Sequence, residues 1–158
     1  ATAAGHRITH MNFHGALGNM AFVDSDLADA LVRAVSAFDR DLIMLVLPET
    51  VLHRVAERAG MKTAGVFLAD RAYDDRGLLV SRKTPGSVIK EASAVTQRVQ
   101  QVLDEGTVTT ITGKKLKVQA QTILVHGDTP AAVELAKTIR TAIETGGGRV
   151  RPISKILA

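Results

Sequence analysis

Three runs of apolar residues constrain the fold more than any other feature of the chain. Leu42-Ile43-Met44-Leu45-Val46-Leu47 is apolar at every position, and Ala64 to Ala69 and Thr122-Ile123-Leu124-Val125 behave alike. A strand with one wet face alternates polar and apolar side chains. A strand without alternation is covered on both faces, which is the environment of a parallel sheet. The segments between these runs carry the helical period instead. Leu27, Leu31, Val35 and Phe38 form one stripe behind Asp24-Ser25-Asp26, whose oxygens suit an N-cap. Pro48 suits the first turn of a helix that ends at Gly60. Ser87 is the expected cap of a long helix bearing Val88, Ala92, Val95, Val99 and Val102. Thr129-Pro130 opens another, bearing Val133, Ala136, Ile139 and Ile143 and stopping at Gly146-Gly147-Gly148.

Strands therefore alternate with helices about four times, the pattern of a parallel α/β architecture. An extended run from Ile8 to Phe13 precedes the first helix, and Arg149 to Ile153 is read as a last strand. Thr107 to Ile111 and Leu116 to Gln119 flank a Gly-containing turn and read as a hairpin set apart from the parallel sheet. The simplest organisation is one β/α domain over residues 1–158.

Composition narrows the function. Aromatic residues make up 3% of the chain, with no Trp, so stacking platforms for single-stranded nucleic acid are missing. Charges of both signs are interspersed around a net +4, without a run long enough to track phosphates. The absence of Cys excludes disulfides, thiolate metal sites and Cys nucleophiles. No apolar stretch reaches the length of a membrane span, and no signal-peptide pattern opens the chain. The expectation is a cytoplasmic protein that binds neither nucleic acid nor membrane and acts on a small molecule.

In parallel β/α folds, function gathers where strands end. Here the apolar strands end in ionisable residues: His14, then Asp70-Arg71-Ala72-Tyr73, then His126-Gly127-Asp128. Gly15 and Gly127 stand beside the two histidines, where a missing side chain lets a ligand approach the backbone. Each group has a plainer use, in a loop, an ion pair or a helix cap. Their convergence on one face points to an active site but names no reaction. His14, Asp70, His126 and Asp128 are also the set from which a catalytic metal would be held, though no such metal is assigned. No GxxxxGKS/T phosphate loop occurs, and the triple Gly follows a helix rather than opening one.

Four ordered segments then carry a family resemblance. Asn12-Phe13-His14-Gly15-Ala16-Leu17-Gly18-Asn19 resembles KPHGALYN, and Leu68-Ala69-Asp70-Arg71-Ala72-Tyr73 with Gly77, Leu78 and Arg82 resembles a FADRAY stretch and its sequel. Pro85-Gly86-Ser87-Val88-Ile89 resembles PGAVI, and Ile123-Leu124-Val125-His126-Gly127-Asp128-Thr129-Pro130 resembles ICVHGDTP. In order and spacing, from residue 7 onward, the chain is similar to the 5-oxoprolinase A subunit (LamB/YcsF, lactam-utilisation) family.

The resemblance implies a parallel β/α barrel of the glycoside hydrolase/deacetylase type, seven-stranded in the family and incomplete here. It implies ATP-dependent hydrolysis of 5-oxoproline to L-glutamate, with Mg2+ accompanying ATP, in a complex with two further subunits of the B and C type. His14, Asp70, His126 and Asp128 become catalytic candidates. Arg71, Tyr73, Arg82, Gly15 and Gly127 become substrate-binding candidates. The chain departs from the pattern at Asn12-Phe13, where the family has Lys-Pro, at Gly18, where it has Tyr, and at Val66, where it has Glu. These changes leave open another lactam, an N-acyl substrate, or a non-catalytic scaffold or regulatory role. The family signatures DLNCDxGE and CGxHAGD do not occur, and the chain opens on Ala1 without Met. The expectation is the C-terminal part of a longer barrel chain.

Overall fold

The protein is described by a computed structural model over residues 2–128 and 131–157. The helix start expected at Thr129-Pro130, like the chain start at Ala1, lies outside the described residues. The residues group into two compact units. One runs to Val66 and resumes at Pro152, and the other runs from Phe67 to Arg151.

In the first unit, strand β1 (His10–Met11) is followed by helices α1 (Gly15–Ala21) and α2 (Ser25–Phe38). Strand β2 (Ile43–Val46), helix α3 (Val51–Arg58) and strand β3 (Thr63–Leu68) come next. The pairing is parallel throughout, with His10 opposite Ile43 and Met44 opposite Thr63. The period of two along β2 explains its uniform apolarity. Met44 and Val46 join a core with Val32, Leu52 and Val55 from α2 and α3, whereas Ile43 and Leu45 face Ala64 and Ile153. Both faces are covered, as the sequence implies.

Local differences have local causes. Asp24 caps α2 as expected, its carboxylate accepting from the amides of Asp26 and Leu27 at 3.0 Å. The buried line of α2 is Ala28, Val32 and Val35, however, and Phe38 is 79% exposed at the last turn. The helix after Pro48 starts three residues later, because Thr50 caps it by accepting from the His53 amide. No strand forms over 149–153. Pro152 has no amide to donate, and Ile153 enters a 3-10 turn (Ile153–Lys155) that buries its side chain against Ile43 and Ala64. At Gly18 a Cβ would lie 2.4 Å from the Phe13 carbonyl oxygen, so the close approach of that backbone accounts for glycine there.

β3 continues into the second unit, where β6 (Thr122–Leu124) is its neighbour and the Ala69 amide donates to the Leu124 carbonyl. Strands alternate with helices through the chain, the α/β pattern that the sequence implies. This unit also holds α4 (Ala92–Glu105), the antiparallel hairpin β4–β5 (Thr107–Thr109, Lys115–Lys117) and α5 (Ala132–Thr145). Gly106 ends α4 in the left-handed conformation at φ 64°, and its amide closes on the Val102 carbonyl. The buried positions of α5 are Leu135 and Ile139, whereas Val133, expected in the stripe, is exposed.

Ser87 does not cap α4. Residues 71–90 form an irregular excursion in which Val88 bridges Arg71 and the Ile89 amide donates to the Asp70 carbonyl at 2.9 Å. Their backbone groups are thereby committed before a helix can start, and Ser87 is buried with its carbonyl accepting from Ala72. No helix among the described residues is long and apolar enough to cross a membrane.

One contact ties the hairpin tip to this excursion. Asp75 accepts from the hydroxyls of Thr110 and Thr112 and pairs with Lys114 at 2.9 Å. Those bonds, Thr112 foremost, then Lys114 and Thr110, hold its pKa down to about 2, from an ordinary 3.8. A depressed carboxylate stabilises the fold above the unfolded value, and that contribution fades as pH falls from about 4 toward 2. A carboxyl titration by NMR is expected to place the Asp75 midpoint near 2, with faster amide exchange in the hairpin below it. A midpoint near 3.8 would show that these bonds do not persist in solution.

Candidate active site

The end of β3 delivers Asp70 to a position only 1% exposed, where an isolated carboxylate is costly. The compensation comes from the end of β6. Nδ1 of His126 lies 2.9 Å from both carboxylate oxygens, and the His126 amide donates to Oδ2 at 3.2 Å. When Asp70 is ionised its oxygens only accept, and Nδ1 then carries the proton in this contact. In the neutral ring the lone pair is then on Nε2, the arrangement of an oriented general base.

Asp70 and His126 line a cavity of about 120 Å³ together with Asp128, Arg71, Arg82, Val88 and Lys90. All belong to the second unit. Arg71 is buried, and its Nε and one terminal nitrogen donate to the carbonyls of Ser87 (3.2 Å) and Val80 (2.7 Å). Burial, then the neighbouring Arg82 charge, lowers the Arg71 pKa, and the Asp70 charge acts against both. Three cations thus share the cavity with two carboxylates, one of which is engaged by His126.

Tyr73 is buried beside the strand end and does not line the cavity. Its hydroxyl accepts from the Leu68 amide at 2.9 Å, its ring stacks on Phe67, and burial pushes its pKa up to about 12. The phenol therefore keeps its proton and braces the segment that leads to Asp70. Gly127 lies between two cavity residues with nothing within 4 Å of where a Cβ would stand. His14 and Gly15 belong to the first unit, where exposed His14 takes the N-cap position of α1 and Gly15 opens the helix at φ 63°. Among the described residues, no three His, Cys, Asp or Glu side chains are placed to hold a metal ion.

Two contributors escape a reading of the sequence. Lys90 is hidden by the expected helix from Ser87, which would make it one more solvated helical lysine. Arg98, in the middle of α4, looks like a surface residue by spacing. Its guanidinium instead lies 5.9 Å from the centre of the Phe67 ring and donates to the carbonyls of Ala69, Arg71 and Thr109 at 3.3, 2.8 and 3.1 Å. It clasps the backbone on both sides of Asp70.

Fold and site together define an α/β protein with an aspartate–histidine pair and a cationic cavity at the ends of neighbouring strands. The chain belongs to the LamB/YcsF family, whose model matches residues 1–158. It is 50% identical over 157 residues to a 5-oxoprolinase A subunit of Bradyrhizobium diazoefficiens, covering 99% of this chain and 62% of that protein. It is 52% identical over 157 residues to a 5-oxoprolinase A subunit of Pseudomonas syringae pv. tomato, covering 99% and 61%. The crystal structure of a lactam utilization protein from Thermus thermophilus superposes with a TM-score of 0.83 at 35% identity, covering 95% of this chain and 60% of that one. The chain thus spans about 60% of the length of the relatives it matches.

Proposed function

We propose that the protein acts in 5-oxoproline utilisation, as the A subunit of an ATP-dependent 5-oxoprolinase that opens the cyclic amide to L-glutamate. The observation that carries this reading is the Asp70–His126 contact at 2.9 Å inside a cation-lined cavity. The names of the relatives, which are 5-oxoprolinase A subunits, support the substrate and the multi-subunit setting.

Hydrolysis of the lactam adds water across the ring C–N bond. The hydroxyl goes to the carbonyl carbon and a proton goes to the departing nitrogen. Asp70 fixes the ring of His126, Nε2 takes the proton from the attacking water, and the resulting imidazolium returns it to the nitrogen as the bond breaks. The Arg71 charge, which faces the cavity, stabilises the oxyanion that forms between these steps. Asp128, which lines the same cavity, holds the attacking water.

ATP supplies the drive for opening a stable five-membered amide. Drug-sized ligands occupy pockets of roughly 300–1,000 Å³, and the cavity here measures about 120 Å³. The nucleotide and its Mg2+ are therefore assigned to other segments or to the B and C type subunits, in the cytoplasm. The test is reconstitution. With both partner subunits present, ADP and glutamate should be released together from 5-oxoproline, and this chain alone should show neither ATPase nor lactam hydrolysis. Turnover by the isolated chain with ATP, or equal turnover by the complex without ATP, would refute the assignment. Parallel assays with other lactams and with N-acyl amino acids fix the substrate class.

A further inference from the structure

The cavity has a second half that the proton-transfer pair does not use. Arg71, although its charge faces the cavity, has donors committed to the Val80 and Ser87 carbonyls. Those two carbonyls bracket Arg82, so the buried arginine pins the segment on which Arg82 rides. Lys90 sits just past the other anchor, one residue after Ile89, whose amide is fixed to the Asp70 carbonyl. Both Arg82 and Lys90 line the cavity. Neither has a carboxylate partner among the described residues; Lys83, Lys117, Arg149 and Arg151 in the same unit have none either, but they do not line the cavity.

Arg82 and Lys90 bring two charges beside Arg71, against Asp128 as the one cavity carboxylate that His126 does not engage, and the Arg82 charge lowers the Arg71 pKa. A bound anion would relieve that repulsion. The small cavity limits the anion to a compact group. A guanidinium and an ammonium from one short segment can grip two oxygens of a single oxyanion.

We propose that Arg82 and Lys90 form an oxyanion-binding subsite that holds the carboxylate of the substrate across the cavity from the Asp70–His126 pair. This rests on the reading of the cavity as the lactam site. It adds the residues that recognise the acidic end of the molecule, and it predicts that a lactam bearing a carboxylate is preferred over one without. A carboxylate held there orients the ring amide toward His126, so recognition and positioning come from the same contacts.

The test is an NMR titration of the protein with 5-oxoproline, with 2-pyrrolidinone (the same ring without the carboxylate), with glutarate and with inorganic phosphate. The reporters are the His126 ring and the amides of Asp70, Lys90 and His126. 5-Oxoproline should bind in preference to 2-pyrrolidinone. Arg82→Gln and Lys90→Gln should each weaken it roughly tenfold, the scale of one charge-assisted hydrogen bond. The loss should shrink at high salt, because the wild-type attraction is screened. Both side chains are exposed, so unchanged thermal unfolding is expected and separates lost binding from lost folding.

Glutarate binding that falls in both variants, with no binding of 5-oxoproline, would sustain the subsite and overturn the lactam reading. Phosphate binding more tightly than either carboxylate, and lost in the same variants, would overturn the carboxylate assignment. Unaltered 5-oxoproline affinity in both variants, or no shift with any of the anions, would overturn the subsite itself.

Discussion

Replacing Asp70 with Asn is expected to lower turnover by at least about a hundredfold in the reconstituted complex, the usual scale for losing an oriented acid/base group, and to leave the KM for 5-oxoproline nearly unchanged. The substitution preserves shape and burial but removes the charge and turns one acceptor oxygen into a donor. Nδ1 of His126, 2.9 Å from both oxygens, then faces either a donor or a weaker neutral acceptor. The proton shifts toward Nε2, and the lone pair needed for water activation goes to the wrong side of the ring. ¹⁵N chemical shifts of His126 report that tautomer directly, so the kinetic loss and its cause are separately measurable. His53→Ala is the matched control. That histidine lies in α3, where Nδ1 accepts from the Glu49 amide, and its loss should leave turnover intact. An Asp70→Asn protein with wild-type turnover would remove Asp70 and His126 from the mechanism together.

The strand ends that carry these two residues are legible because the strands are. Met44 and Val46 on one side, and Ile43 and Leu45 on the other, show that an unbroken apolar run is a strand with two covered faces. A polar residue that ends such a run must sit at the rim of the sheet, which is why Asp70 and His126 can be picked out. The excursion from 71 to 90 cannot be read in the same way. It has no period, and what holds it is non-local: the Arg71 guanidinium reaching Val80 and Ser87, and Ile89 bonded to Asp70. Ser87 therefore passes for a helix cap and Lys90 for a helical lysine. Helix α1 escapes for a related reason. Its two glycines argue against a helix by propensity, and only the contact between Gly18 and the Phe13 carbonyl shows why one of them is there.

The largest effect on stability is expected at Phe67, which is fully buried at the end of β3, three residues before Asp70. Its ring stacks on Tyr73 with centroids 5.9 Å apart and planes 12° from parallel, and the Arg98 guanidinium covers it. Phe67→Ala removes both contacts and leaves a void that the surrounding backbone cannot easily fill. Arg98 is fixed to three carbonyls, and the Tyr73 hydroxyl is fixed to the Leu68 amide. A buried Phe→Ala change costs about 3–5 kcal/mol. For a chain of this size that lowers the midpoint of thermal unfolding by roughly 6–20 °C. Phe67→Leu keeps most of the volume, and a loss of about 1–2 kcal/mol is expected of it. The two variants should also differ at the site, because the clasp of Arg98 on Ala69 and Arg71 depends on the ring beneath it. Exchange protection of the Arg71 and Ala72 amides should fall in Phe67→Ala and hold in Phe67→Leu. Calorimetry that finds less than about 1 kcal/mol lost in Phe67→Ala, well under the usual cost of such a void, would mean that the strand end keeps its packing without the ring, and that Arg98 and Tyr73 alone position Asp70.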